Sequence, residues 1–174
     1  EFEAFLNQPE NAKYSYELIN GEIREKVVTE VHSVIAGNIV TLINMYLSQK
    51  QLQGRAGVEG RFRPETATRD DRLPDVHYVS DSSKPITAKG AAPFLPDLAV
   101  EIKSPDDTNI EMSETAAFYL QHGAKIVWLV YPEKRLVEVL TNSERQLLSE
   151  DEQVTGGEVL PGFAISVRDV FRSI

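Results

Sequence analysis

The sequence contains no cysteine in its 174 residues. That excludes disulfides, a thiol nucleophile and a thiolate metal site, and makes a reducing compartment, the cytoplasm, the expected setting. Positive charge is also short. Eighteen Lys and Arg stand against 27 Asp and Glu, a formal net charge of -9. Nucleic-acid binders ordinarily carry a basic footprint, so any contact with DNA has to be local here. No apolar run approaches the roughly 18 residues that a membrane helix needs. There is no internal repeat, no low-complexity tract and no linker long enough to divide the chain. At 41% hydrophobic and 26% charged residues, it has the composition and length of one domain with a full core.

What the chain does have is an apolar run carrying misplaced charge, Pro96-Asp97-Leu98-Ala99-Val100-Glu101-Ile102-Lys103-Ser104. Read as a strand, it puts Leu98, Val100 and Ile102 on one face and Asp97, Ala99, Glu101 and Lys103 on the other. A carboxylate and an ammonium on one face of an apolar strand are costly to bury without partners or a task. Upstream, Leu73-Pro74-Asp75-Val76-His77-Tyr78-Val79 reads as a second strand with a carboxylate at its entry. The order is Pro-Asp, 25 intervening residues, then Glu-x-Lys.

The surrounding pattern supplies a frame. A short lead-in helix is expected from Phe2 to Glu10. Asn20-Gly21 between strand-like runs predicts a β-hairpin. His32, Ile35, Ile39, Leu42 and Tyr46 recur at helical spacing and predict a long helix over 30–49. A strand over 54–64 comes before the Asp75 and Glu101 strands. Thr108-x-x-Glu111 fits a capping box, which opens a helix that Gly123 stops. Ile126 to Val130 reads as a strand buried on both faces, followed by a strand over 136–140, a polar, turn-rich tail to Val159, a last strand and a short closing helix. The expected fold is α/β: a helix–three strands–helix–strand core with a mixed sheet flanked by helices. It is a single domain over 1–174, with an extension and hairpin over 1–29, the core over 30–131, and a β-rich C-terminal tail over 132–174.

Phosphodiester hydrolysis needs an activated water and a means of holding the charge that develops on the phosphoryl oxygens. A hard divalent cation, Mg²⁺ or Mn²⁺, provides both and prefers oxygen ligands. Asp75 and Glu101 can supply these ligands if their strands are neighbours, with the Ile102 backbone carbonyl as a third. Lys103 is expected to point into the same space and stabilise the transition state. The plain alternative is a Pro-Asp strand entry and a solvated Glu-x-Lys pair. Secondary candidates are Glu59 as a further acid, His32 at the head of the helix, and His77 on the same strand face as Asp75. Two of them have a structural alternative: a surface ion pair for Glu59 and a satisfied core imidazole for His32. Arg55, Arg61, Arg63, Arg69 and Arg72 form the one basic concentration, and interspersed acids favour a solvated loop over a phosphate track. Trp128 is read as core.

In the order of these segments the chain resembles the bacterial Uma-two family of endonucleases, within the PD-(D/E)XK restriction-endonuclease-like superfamily. The segments are Tyr16-Glu17-Leu18-Ile19-Asn20-Gly21-Glu22, His32, Leu73-Pro74-Asp75-Val76, Pro96-Asp97-Leu98-Ala99-Val100-Glu101-Ile102, Ser104-Pro105, Asp107, Tyr119, Gly123, Trp128-Leu129-Val130 with Pro132, and Leu160-Pro161-Gly162-Phe163. The resemblance implies the same core order, a divalent metal at Asp75 and Glu101, and an endonuclease acting on DNA in a bacterial cytoplasm. A homodimer or higher homo-oligomer is expected, since cutting both strands takes two sites. Family members often have leucine in place of Lys103 and a lysine in the following helix, at the position of Thr115; here the strand is expected to carry the lysine. Two other readings stand beside this one: a catalytically inactive nuclease-fold module for binding or assembly, and a metal hydrolase of small phosphoesters.

Overall fold

The computed structural model describes residues 1–174. A short helix α1 (Phe2–Leu6) leads into strands β1 (Ser15–Ile19) and β2 (Glu22–Lys26), an antiparallel hairpin turned at Asn20 and Gly21. Both turn residues have positive φ, 53° and 85°, the backbone that a two-residue hairpin turn demands and that Asn-Gly tolerates. Helix α2 (Glu30–Lys50) follows, with Thr29 as its N-cap. It is long and apolar enough to cross a membrane by composition alone. Here its Ile35, Ile39, Ile43 and Leu47 stripe is buried in the core.

The main sheet has six strands in the order β3-β4-β5-β6-β7-β8. These are β3 (Arg55–Val58), β4 (Val76–Val79), β5 (Leu98–Ile102), β6 (Ile126–Tyr131), β7 (Leu136–Leu140) and β8 (Arg145–Leu148). Only β5 and β6 are parallel, and helix α3 (Asn109–Gln121) crosses between them. Thr108 caps α3 through the reciprocal box with Glu111. A small antiparallel pair, β9 (Gln153–Thr155) with β10 (Ala164–Ser166), and helix α4 (Val167–Val170) complete the chain.

Alternation in β5 divides the core in two. Leu98, Val100 and Ile102 join the α2 side, with Val76, Trp128 and Val130. Ala99 joins the α3 side, with Val127, Leu129, Met112, Ala116 and Tyr119. The sheet lies between the two long helices, and Glu101 faces α3 from the last pleat but one. Strand β6 is buried on both faces, as its unbroken apolar run requires.

Three expectations need correcting. The strand over 54–64 is shorter, because Glu59 adopts a left-handed backbone (φ 50°) and ends it. The lead-in helix ends at Leu6 instead of Glu10. The turn-rich tail includes β8 and β9, whose short strands carry exposed polar residues and leave little apolar alternation to read.

Candidate active site

Asp75 immediately precedes β4, and Glu101 is next to last in β5. The antiparallel register pairs Val76 with Val100, so its next step sets Asp75 opposite Glu101. Both are buried, at 4% and 9% exposure. Asp75 Oδ2 accepts from the Ile102 amide at 2.6 Å, the side chain taking the place of a ladder carbonyl where the strand pairing ends. Glu101 Oε1 accepts from the Tyr119 hydroxyl at 2.7 Å. Each carboxylate is thus oriented through one oxygen, and the other is directed at a common point.

That point holds the Lys26 ammonium. Lys26 Nζ lies 3.0 Å from Asp75 Oδ1 and 3.3 Å from Glu101 Oε2, and also donates to the Leu73 carbonyl. The three ammonium protons therefore meet three oxygen acceptors. Burial alone would lower the Lys26 pKa; Glu101 and Asp75 more than offset this and hold it above the ordinary lysine value. Burial pushes the Glu101 carboxyl up, and the Lys26 ammonium opposes this and favours the ionised form. Burial and the neighbouring Glu101 push the Tyr119 phenol well above its ordinary value, so it keeps its proton and donates a hydrogen bond to Glu101.

A cavity of about 550 Å³ opens over this pair. Eight acidic side chains line it: Glu17, Glu25, Asp75, Glu101, Asp106, Asp107, Glu111 and Glu114. The basic side chains on its wall are Arg24, Lys26 and Arg72. His32 also lines it, and its Nε2 lies 2.8 Å from the Ile102 carbonyl while Nδ1 lies 2.8 Å from Thr29 Oγ1. His32 thereby joins the head of α2 to the end of β5.

The structure separates the expected residues. Asp75, Glu101, the Ile102 carbonyl and His32 come together. Lys103 does not join them: its Nζ donates to the adjacent Ser104 carbonyl at 3.1 Å, and it lines a second cavity of about 300 Å³ beside Tyr131 and Lys134. Strand β5 ends at Ile102, and the Ser104-Pro105 turn, fixed by the Ser104 amide on Asp107 Oδ2 at 2.7 Å, turns Lys103 out of the alternation. Glu59 is exposed on its turn. His77 packs edge-on against Phe62, ring centroids 4.9 Å apart, and lines neither cavity. Its imidazole is lowered to about 4 by burial and by Arg55.

Three of the five arginines are bound by buried acids. Arg61 and Arg63 both bind Asp71, which is fully buried, and Glu3. Arg72 binds Asp70 at 2.9 Å and lies over the Phe118 ring. This network ties α1 to the segment leading into Asp75.

Sequence reasoning passed over Lys26 and left Glu17 without a role. Glu17 Oε1 accepts from the Leu73 amide at 2.7 Å and so holds the approach to Asp75. Ile23 in β2 and Val27 just after it are exposed at 42% and 64%, so the chain here turns its lysine inward and these apolar side chains outward. No alternation rule foresees that inversion.

A sheet that sets one acid at the entry of a strand and a second at the end of its antiparallel neighbour, between two helices, defines a protein of the restriction-endonuclease-like class. The chain belongs to the Uma2 family, described as "Putative restriction endonuclease", which it matches over residues 2–168. It is similar to the crystal structure of a "putative nuclease belonging to DUF820" from Anabaena variabilis ATCC 29413, with a TM-score of 0.79 and 26% identity over 97% of this chain and 96% of that one. No curated protein matches.

Proposed function

We propose that this protein is an endonuclease that hydrolyses DNA phosphodiesters with a divalent cation, Mg²⁺ or Mn²⁺, held by Asp75 and Glu101. One observation carries the reading: Asp75 Oδ1, Glu101 Oε2 and the Leu73 carbonyl converge on a single positive charge. The donor set is all oxygen, as hard divalent cations prefer. The Ile102 carbonyl, oriented by His32, is a further oxygen beside it. A cation bound there would lower the pKa of a water and neutralise phosphoryl charge. Tyr119 fixes the rotamer of Glu101, and the Ile102 amide fixes that of Asp75. In the reaction, a water oxygen bonds to phosphorus and the bond from phosphorus to one sugar oxygen breaks. One water proton ends on the departing sugar hydroxyl.

Acidic residues dominate the cavity wall, so a polyanion gains little from the protein alone, and contact is confined to the scissile phosphate. The expected homodimer belongs to the same proposal, because cutting a duplex takes two such sites. Plasmid cleavage tests the reading. Wild type should nick or linearise DNA with Mg²⁺ or Mn²⁺ and not with a chelator, and Asp75→Asn or Glu101→Gln should abolish cutting while leaving the melting curve cooperative. Intact single- and double-stranded DNA under both metals would contradict it. One observation favours the second reading, a non-catalytic module: the cation already on the carboxylates is the chain's own ammonium. That reading predicts no divalent binding in calorimetry.

A further inference from the structure

The buried ammonium is the feature that the expected chemistry did not contain. Lys26 ends β2, a strand whose other residues are exposed, and its side chain is only 12% exposed. Its position is built rather than incidental. The hairpin is bound to the segment before Asp75 along its length: the Leu18 amide to the Asp71 carbonyl at 2.9 Å, the Asp71 amide to the Leu18 carbonyl at 2.8 Å, and the Gly21 amide to the Arg69 carbonyl at 2.8 Å. The Asn20 amide adds a bond to Asp70 Oδ1 at 3.1 Å. The hairpin and the Asp75 segment are therefore one unit, and Lys26 is aimed at the carboxylates by the same contacts that place Asp75.

Stability alone gives no reason for this arrangement. A buried ion pair is often no more stable than well-packed apolar residues of equal volume. A lysine placed on two acids that face a cavity is better explained by what enters the cavity. Lys103, the sequence's first choice, spends its ammonium on the carbonyl of its own neighbour.

Resting on the nuclease reading, we propose that Lys26 is the lysine of this active site, supplied by the N-terminal hairpin, and that in the substrate-free protein its ammonium stands where the divalent cation binds. A bound cation would take over the two carboxylate oxygens and leave Lys26 to face the scissile phosphate, where its charge would offset that developing on the phosphoryl oxygens. The ammonium donates hydrogen bonds throughout and neither gains nor loses a proton. Thr115, one turn before Tyr119 on α3, lines the same cavity, so the wall Lys26 reaches from β2 is also within the scope of a side chain on α3.

Two readouts on purified protein test the assignment. The first is Mn²⁺ binding by calorimetry, which needs no activity. With no ammonium to displace, Lys26→Met should bind Mn²⁺ at least tenfold more tightly than wild type, and Lys103→Met within twofold of it. The second is cleavage under saturating Mn²⁺. Lys26→Met should lower kcat at least 100-fold, and Lys103→Met less than threefold. Mn²⁺ affinity in Lys26→Met equal to or weaker than in wild type would overturn the placement, and kcat within threefold of wild type would overturn the catalytic role. If wild type cuts no DNA while Lys26→Met still binds Mn²⁺ more tightly, the nuclease reading fails and the placement of Lys26 at the cation position survives. Should Lys26→Met not fold, Lys26→Gln carries both readouts, since its amide still donates to a carbonyl and a carboxylate.

Discussion

Replacing Lys26 by methionine should destabilise the metal-free protein by about 3–5 kcal/mol, the range for removing one partner from a buried ion pair. Methionine fills nearly the same volume, so no cavity contributes and the whole effect is electrostatic. The variant leaves Asp75 Oδ1, Glu101 Oε2 and the Leu73 carbonyl without their donor. The other oxygen of each carboxylate keeps its bond, to the Ile102 amide and the Tyr119 hydroxyl, which holds the cost within that range. For a chain of this length roughly 2–4 °C of Tm accompanies each kcal/mol, so Tm at pH 7 should fall by about 6–20 °C. Lys103→Met, which loses only the bond to Ser104, should cost less than about 0.5 kcal/mol. Scanning calorimetry and urea unfolding in chelator measure both. A Lys26→Met protein within 1 kcal/mol of wild type would show that the ammonium does not balance two buried acids, and would refute the reasoning.

Other consequences follow from groups outside the cation pair. His77 has its pKa depressed to about 4, chiefly by burial and further by Arg55, so the unfolded chain binds more protons than the folded one between about 4 and 6.5. The stability from keeping this ring neutral is fully present above pH 6.5 and lost as pH falls through 4. The loss should reach up to roughly 3 kcal/mol, and His77→Leu should flatten it in pH-dependent urea unfolding. Asp71→Ala should cost about 2–4 kcal/mol, because Arg61 and Arg63 lose their shared buried acceptor; a change under 0.5 kcal/mol would mean that the network is not structural. Arg63→Ala should lower Tm yet leave the salt dependence of oligonucleotide binding unchanged in fluorescence anisotropy. A shallower slope would restore that arginine to a phosphate contact.

Local and periodic information carried much of this architecture. Asn20-Gly21 specified a hairpin because two adjacent positive-φ residues have few other uses. Thr108 and Glu111 specified the start of α3 because their reciprocal bonds are local. Alternation placed Leu98, Val100 and Ile102 against α2 and turned Glu101 to the opposite face. The acids of the candidate site were legible for that reason: each sits on its own strand, and neighbouring strands bring them together. The lysine was not. Alternation carried past Ile102 assigned Lys103 to the face of Glu101, but it holds only while the strand continues, and Ser104-Pro105 ends it. Lys26 was hidden for a different reason. Its place depends on how a hairpin docks 50 residues away in sequence, on the pairing of Leu18 with Asp71, and nothing within β2 marks which face turns inward. Asp71, too, sits in a stretch that reads as a polar loop, and only the fold shows Arg61 and Arg63 enclosing its buried carboxylate.

A crystal of the wild-type protein soaked in Mn²⁺ tests the central claim most directly. The account predicts an anomalous peak bounded by Asp75 Oδ1 and Glu101 Oε2 at metal–oxygen bonding distance, with the Lys26 ammonium moved off both oxygens. An ammonium still bridging the two carboxylates, with no peak between them, would contradict it.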